Sequence, residues 1–250
     1  MTARWLGIPA LSLLLAACAS AQLAKQPVAE MQVAAADTPE AAGMVDIRTL
    51  VPDIDLEMRY ASDNNFVGTR VDGYEAARCF LQVPAARALA RVESALRREH
   101  RRLRIYDCYR PARAVRHFVA WAGDLADQRT KPRYYPNLDK RELLGDYISP
   151  TSGHSRGATL DLTLMQCDSH DTACVPLDMG TSFDFFDPLA NTDSPRAATE
   201  QRANRLLLRS AMERGGFRNY PMEWWHFTLY PEPEPKRFYD FVIRKAPAPH

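Results

Sequence analysis

The stretch Ser152-Gly-His-Ser-Arg-Gly-Ala-Thr-Leu-Asp-Leu-Thr-Leu164 constrains this chain more than any other. From Thr159 onward it alternates: Leu160, Leu162 and Leu164 share one face, Asp161 and Thr163 the other. Such a segment reads as a half-buried strand with its carboxylate opposite the leucines. The glycine-containing loop before it lets His154 fold back beside Asp161. Imidazole nitrogen and carboxylate oxygen are both good zinc ligands, and two of them leave a site incomplete.

A third candidate comes late, in Glu223-Trp-Trp-His226. With His154, Asp161 and His226 as ligands, a zinc ion keeps an open fourth position for water, which is how catalytic sites differ from structural ones. Glu223 is then free to be the base that takes the proton of that water. A His–Asp pair alone is more often a loop hydrogen bond. The Glu-x-x-His element, together with the arginine-bearing turn Tyr109-Arg110-Pro111, moves the reading to a metal site. In a strand Glu223 and His226 would face opposite sides, so a turn is expected near Glu223. Trp224 and Trp225 read as core or pocket wall.

These segments resemble the zinc-dependent D-alanyl-D-alanine dipeptidases best known from vancomycin resistance. The resemblance is carried by residues 152–164, by Glu223-Trp-Trp-His226 and by Asp107-Cys-Tyr-Arg-Pro111. Further matches are Arg59-Tyr-Ala followed by Asp63-Asn-Asn-Phe66, Val71-Asp-Gly-Tyr-Glu75, Tyr134-Tyr-Pro-Asn137 and Met179-Gly-Thr-Ser-Phe-Asp-Phe185. They recur in the family's order from about Asp46 to Val242. The resemblance implies an α+β fold with a small central antiparallel sheet flanked by helices, as in the hedgehog and D,D-peptidase group. It also implies a single zinc ion on His154, Asp161 and His226, with Glu223 as base. Arg110 is implied to stabilise the oxyanion formed when an amide is attacked, a role in which a fixed positive charge is effective. Asp184, Tyr60 and Ser152 are implied to bind the ammonium of a small dipeptide. The expected reaction is hydrolysis of D-Ala-D-Ala or a similar dipeptide. A zinc D,D-carboxypeptidase trimming peptidoglycan stems is the rival, and a metal-free wall-binding lipoprotein the reading from another class. Intact Glu223 speaks against the last, because pure binding has no use for a general base.

The N-terminus reads as a processing segment. Arg4 is followed by an apolar run from Trp5 to Ala17, too short for the roughly 20 residues of a spanning helix. The run closes on Leu15-Ala-Ala-Cys18, which resembles the lipobox of bacterial lipoproteins, with Cys18 as the lipidated residue. Residues 1–17 are therefore expected to be a signal peptide. Ala19 to about Gly43 is Ala-, Gln- and Pro-rich and is expected to be a flexible tether. One domain, 44–250, follows. The expected location is the periplasm, on the outer membrane, with the lipid at Cys18 as the only membrane contact. The family's resistance-type members work in the cytoplasm on free dipeptide. An exported relative would meet such dipeptides in cell-wall turnover.

Cysteine use agrees with export. Cys79, Cys108, Cys167 and Cys174 are an even set without Cys-x-x-Cys spacing, so disulfides are expected rather than a metal site. Three pairings are open. A Cys167–Cys174 bridge would close a short hairpin-like loop and leave Cys79 to Cys108. The 32 basic and 31 acidic residues give a formal charge of +1, and the run Arg97-Arg98-Glu-His-Arg101-Arg102 reads as the solvated end of a helix. Nucleic acid is not an expected partner, nor is any obligate protein partner.

Periodicity predicts a strand within Asp46–Tyr60 and helices over Val83–Glu99, Ala112–Asp127 and Thr199–Arg214. The last has Leu206, Leu207 and Met212 as its apolar residues. A strand is expected over Leu103–Tyr109, and a return to the sheet over Phe217–Leu229. Residues 130–150 read as a long irregular section leading into His154. Helices and strands interleave without strict alternation, which favours α+β over a doubly wound sheet.

Overall fold

The computed structural model describes residues 1–2 and 32–246. Apart from its first two residues the expected signal peptide lies outside them, as do the lipidation candidate Cys18 and the tether up to residue 31. In chain order the regular elements are β1 (Met44–Asp46), β2 (Asp55–Leu56), β3 (Phe80–Gln82), α1 (Val83–Arg97), β4 (Arg101–Asp107), α2 (Ala112–Gly123) and α3 (Lys131–Tyr134). They continue with β5 (Thr159–Cys167), β6 (Cys174–Pro176), α4 (Thr199–Arg214), β7 (Phe217–Asn219) and β8 (His226–Leu229).

The main sheet runs β2-β4-β5-β8-β7, with β6 also on β5. Every pairing in it is antiparallel except β2 with β4, which is parallel. A separate antiparallel pair joins β1 to β3. The architecture is the expected α+β arrangement of a small central sheet flanked by helices, with one short parallel edge added. Within Asp46–Tyr60 only Asp55–Leu56 is strand; Ile47–Thr49 and Arg59–Ala61 are single 3-10 turns. Pro52, which has no N–H to give a ladder, lies in the turn between them.

β5 is the central strand, and it is buried on both faces rather than one. Leu160, Leu162 and Leu164 are fully buried, each contributing roughly 1.5–3 kcal/mol by leaving water. α1 packs on β4 and α4, and α4 packs on β5 and β7. α1 takes Pro84 in its first turn, where the missing N–H is harmless. It buries Ala85, Ala88, Leu89, Val92 and Leu96. α2 starts directly after Pro111 and stops at Gly123, short of the expected Asp127. On α4 the expected apolar residues Leu206 and Leu207 are exposed, at 52% and 39%. The buried face instead carries Asn204, Arg205, Leu208, Ala211 and Met212. A buried arginine in the stripe is what displaced the sequence reading.

The chain docks on the sheet side of the molecule earlier than the tether boundary at 43. Val33 bridges Phe238, Ala34 N–H donates to Phe238 O at 2.8 Å, and Ala42 is buried. Both disulfides form, Cys79–Cys108 and Cys167–Cys174. The first joins the start of β3 to the end of β4, and both its cysteines are fully buried.

Candidate active site

Asp161 stands in the middle of three strands. Across one ladder its partner is Asp107 on β4, and across the other it is His226 on β8. The β4–β5 register slips between Ile105 and Asp107. A bulge of this kind re-aims a side chain beside a site. His154 arrives from the other direction, on a 3-10 turn (Gly153–Arg156) capped by the Ser152 side chain and ended by Gly157 at φ +79°. A side chain at Gly157 would also collide with Met44.

These elements bring His154, Asp161 and His226 together, with one ligand atom from each lying within 4.8 Å of the others. His154 Nε2 is 3.3 Å from Asp161 Oδ2 and 3.3 Å from His226 Nδ1. His226 Nδ1 is 3.0 Å from Asp161 Oδ1. His154 Nδ1 lies 2.7 Å from the carbonyl of Cys108. That carbonyl can only accept, so Nδ1 carries the proton and Nε2 keeps its lone pair for the cluster. Burial lowers the proton affinity of His154, favouring the neutral ring a ligand needs. Asp161 is held below the usual carboxylate range, the two histidines outweighing its burial. Its Oδ1 is buried and, apart from the close approach of His226 Nδ1, meets no donor among the described residues. A neutral imidazole lone pair, a carboxylate and a second imidazole facing one point suit a divalent cation.

Glu223 lies beside the cluster. Two successive turns, Glu223 N–H to Tyr220 O and His226 N–H to Glu223 O, put Glu223 and His226 on one side, as the spacing demanded. Glu223 Oε2 is 3.4 Å from His226 Nδ1. Burial raises the Glu223 carboxyl to about 7, with His226 pulling the other way. Trp225 lines the same pocket, while Trp224 is buried and donates to Thr181 Oγ1 at 2.8 Å.

Arg110 reaches in from the turn after β4. Its Nε donates to Asp107 Oδ2 at 2.9 Å, and its other nitrogens lie 3.5 Å from Ser152 Oγ and from Asp161 Oδ2. The guanidinium carbon is 5.1 Å from the ring centres of both Tyr60 and Phe118. Burial opposes its charge, but the Asp107 carboxylate beside it outweighs that and keeps it firmly protonated. Asp107 itself is fully buried and takes the Tyr74 hydroxyl at 2.7 Å. Sequence reading quoted Asp107 within a motif and gave it no task. Its place in step with Leu103 and Ile105, a carboxylate among apolar neighbours, was the available signal.

Asp184 lies at the other end. It is 5% exposed, and the Tyr60 hydroxyl donates to its two oxygens at 3.1 and 3.0 Å. Burial, helped by the charge of Asp161, raises its carboxyl far above the ordinary range. A carboxyl so poorly solvated stays neutral unless a cation is brought against it. One cleft of about 380 Å3 contains all of these groups: Tyr60, Arg110, Ser152, Asp184, Glu223 and the three candidate ligands. Its outer wall, from Gly145 to Thr151, and Tyr220 were not singled out from the sequence. His100, His117 and His170 lie elsewhere; the first two pair with Asp171 and Asp72.

A fold of this kind with two imidazoles and a carboxylate converging beside a glutamate belongs to the metallopeptidases. The model of peptidase family M15, D-Ala-D-Ala dipeptidase, matches residues 40–244, and the chain belongs to that family and is a peptidase. The D-alanyl-D-alanine dipeptidase of Streptomyces coelicolor is 40% identical over 195 residues, covering 78% of this chain and 95% of that protein. The enzyme of the same name from Enterococcus faecium is 36% identical over 203 residues, 81% of this chain and 98% of that one. The Escherichia coli protein is 34% identical, covering 74% and 84%.

Proposed function

We propose that this protein is a zinc-dependent dipeptidase hydrolysing D-Ala-D-Ala or a similar small dipeptide during peptidoglycan turnover in the cell envelope. The observation that carries the reading is the convergence of His154, Asp161 and His226, with Glu223 3.4 Å from the last. His154, Asp161 and His226 would hold the zinc, which would supply a Lewis acid for the scissile carbonyl and would lower the pKa of water from 15.7 towards about 7. Glu223 is placed to accept the proton of that water and to return it to the leaving amine. Arg110 offers N–H groups to the oxyanion that attack creates, and Asp107 keeps its guanidinium turned inward.

Asp184 and Tyr60 are placed to receive the substrate ammonium. A buried carboxyl whose partner among the described residues is one hydroxyl ionises only against a cation, so an N-blocked chain, which brings no ammonium, forgoes that ion pair and binds poorly. This supports a free dipeptide over a longer stem peptide. Ser152 caps the turn of His154 and faces the same cleft. The names of the relatives, all D-alanyl-D-alanine dipeptidases, support the same substrate. The leader 1–17, directly before Cys18, supports export to the periplasm and lipid anchoring at the outer membrane.

Purified protein given D-Ala-D-Ala, its N-acetyl derivative and a pentapeptide muropeptide tests the proposal. The expected result is cleavage of the free dipeptide with the two blocked substrates left intact. Release of D-Ala from the muropeptide alone would assign the protein to the carboxypeptidases.

A further inference from the structure

The segment that presents Asp184 is irregular, and Asp184 itself has φ +60°, in the left-handed region that few residues with a Cβ adopt, aspartate more readily than most. What constrains it comes from α4. Arg205, 1% exposed, donates from Nε to the carbonyl of Met179 at 2.8 Å and from its far side to the carbonyl of Asn191 at 2.7 Å. Those carbonyls bracket residues 180–190, with Asp184 between them. The neighbouring positions on the same helix face hold the same joint: Asn204 donates to Asp178 O at 2.9 Å and Gln201 to Asp178 Oδ2 at 2.9 Å. Gly180, at φ +82°, leaves no room for a side chain, since a Cβ there would meet Gln201 Oε1 at 2.6 Å.

Nothing in the reaction uses Arg205 directly, and no carboxylate lies within ion-pairing distance of it among the described residues. A buried guanidinium with only the more distant Asp178 as counter-charge is costly to keep. What it supplies that a lysine or methionine cannot is a planar fork able to hold two carbonyls at once.

We propose that Arg205 is a positioning residue for the ammonium end of the pocket. It clamps both ends of the segment carrying Asp184 and so fixes where that carboxylate points. The inference rests on the reading of Asp184 as the ammonium partner. Because that contact is made equally in ground and transition states, loosening it should appear in KM and not in kcat.

The test measures kcat and KM for D-Ala-D-Ala with wild type, Arg205→Met, Arg205→Lys, Asp184→Asn and the double variant Asp184→Asn/Arg205→Lys, each checked by thermal melting. The expected result is a KM raised about tenfold in Arg205→Met and less in Arg205→Lys, with kcat within about threefold of wild type. The double variant should have the KM of Asp184→Asn alone, since the arginine acts through that aspartate. Should Arg205→Met fail to fold, Arg205→Lys decides alone. An unchanged KM in a folded Arg205 variant, or a KM effect that multiplies with that of Asp184→Asn, overturns the proposal. If Asp184→Asn itself leaves KM unaltered, the ammonium reading falls and takes the clamp with it. If only the Arg205 variants are silent, the clamp alone is wrong.

Discussion

His154, Asp161 and His226 hang on the centre of a paired sheet and the capped turn beside it, whereas Tyr60 stands on a single 3-10 turn away from the sheet and Asp184 on an irregular segment held by side chains from elsewhere. At the first end, backbone ladders set the geometry: Asp161 has Asp107 and His226 as cross-strand neighbours. At the second, the backbone is strained at Asp184 and the positioning comes from Arg205, Trp224 and the carbonyl of Tyr134, which accepts from Phe186 N–H. The chemical end is therefore set by backbone pairing and the recognition end by side-chain clamps. Substitutions at the first should strike kcat and metal content; those at the second should strike KM and substrate choice.

The sharpest break comes at the base. Glu223→Gln keeps shape and hydrogen bonding but cannot take a proton, so kcat should fall by about 10²–10⁴ with zinc content unchanged. Wild-type turnover in that variant would remove Glu223 from the chemistry. Arg110→Met should lower kcat by about 10²–10³, the range found for loss of an oxyanion donor, with little change in KM. Asp184→Asn should instead raise KM for D-Ala-D-Ala by ~10- to 100-fold, the worth of a charge-assisted hydrogen bond, and narrow the preference over the N-acetyl substrate. If it lowered kcat alone, the division of the pocket into two ends would be wrong.

The disulfides sharpen the comparison further. Cys79–Cys108 closes a separation of 29 residues and Cys167–Cys174 one of 7. Chain entropy makes the longer bridge worth about 1 kcal/mol more. The longer one also carries the carbonyl that orients His154. Cys79→Ser/Cys108→Ser should therefore lower both the melting temperature and zinc affinity, while Cys167→Ser/Cys174→Ser lowers the melting temperature by less and leaves zinc affinity alone. Equal zinc affinity in the two variants would show that the disulfide has no bearing on the ligand.

The smallest effect is in the pH profile. Burial raises Glu223 to about 7, and a base works only when ionised. kcat/KM should thus fall as pH drops through an acid limb whose midpoint lies at or below about 7, since a cation between the histidines favours the carboxylate. Replacement of Glu223 by Gln should abolish that limb, and a limb that persists would belong to another group.

The end built on backbone pairing was also the legible one. Alternation around Asp161 and the three-residue gap in Glu223-Trp-Trp-His226 are local patterns, and each maps onto one strand or one turn. Asp107 went without a role because the bulge before it sets its aim and its partner Tyr74 lies far off in the chain, although its other partner, Arg110, is only three residues on. Asp184 was reached through the family resemblance, with Asp178 and Asp187 close by in sequence. They do local work, Asp178 receiving Gln201 and Gly180 N–H and Asp187 capping a turn. Arg205 was invisible because a charged residue on a helix reads as solvent-facing, and its burial depends on carbonyls supplied by a loop.

Zinc content measured alongside fold integrity tests the account most directly. Protein purified without chelator, then His154→Ala and Asp161→Ala made in the same way, should be compared by elemental analysis and circular dichroism. The account predicts about one zinc per wild-type chain and almost none in either variant, with the wild-type spectrum retained. Full zinc in a folded His154→Ala or Asp161→Ala protein, or a wild type that hydrolyses the dipeptide after complete metal removal, would contradict it.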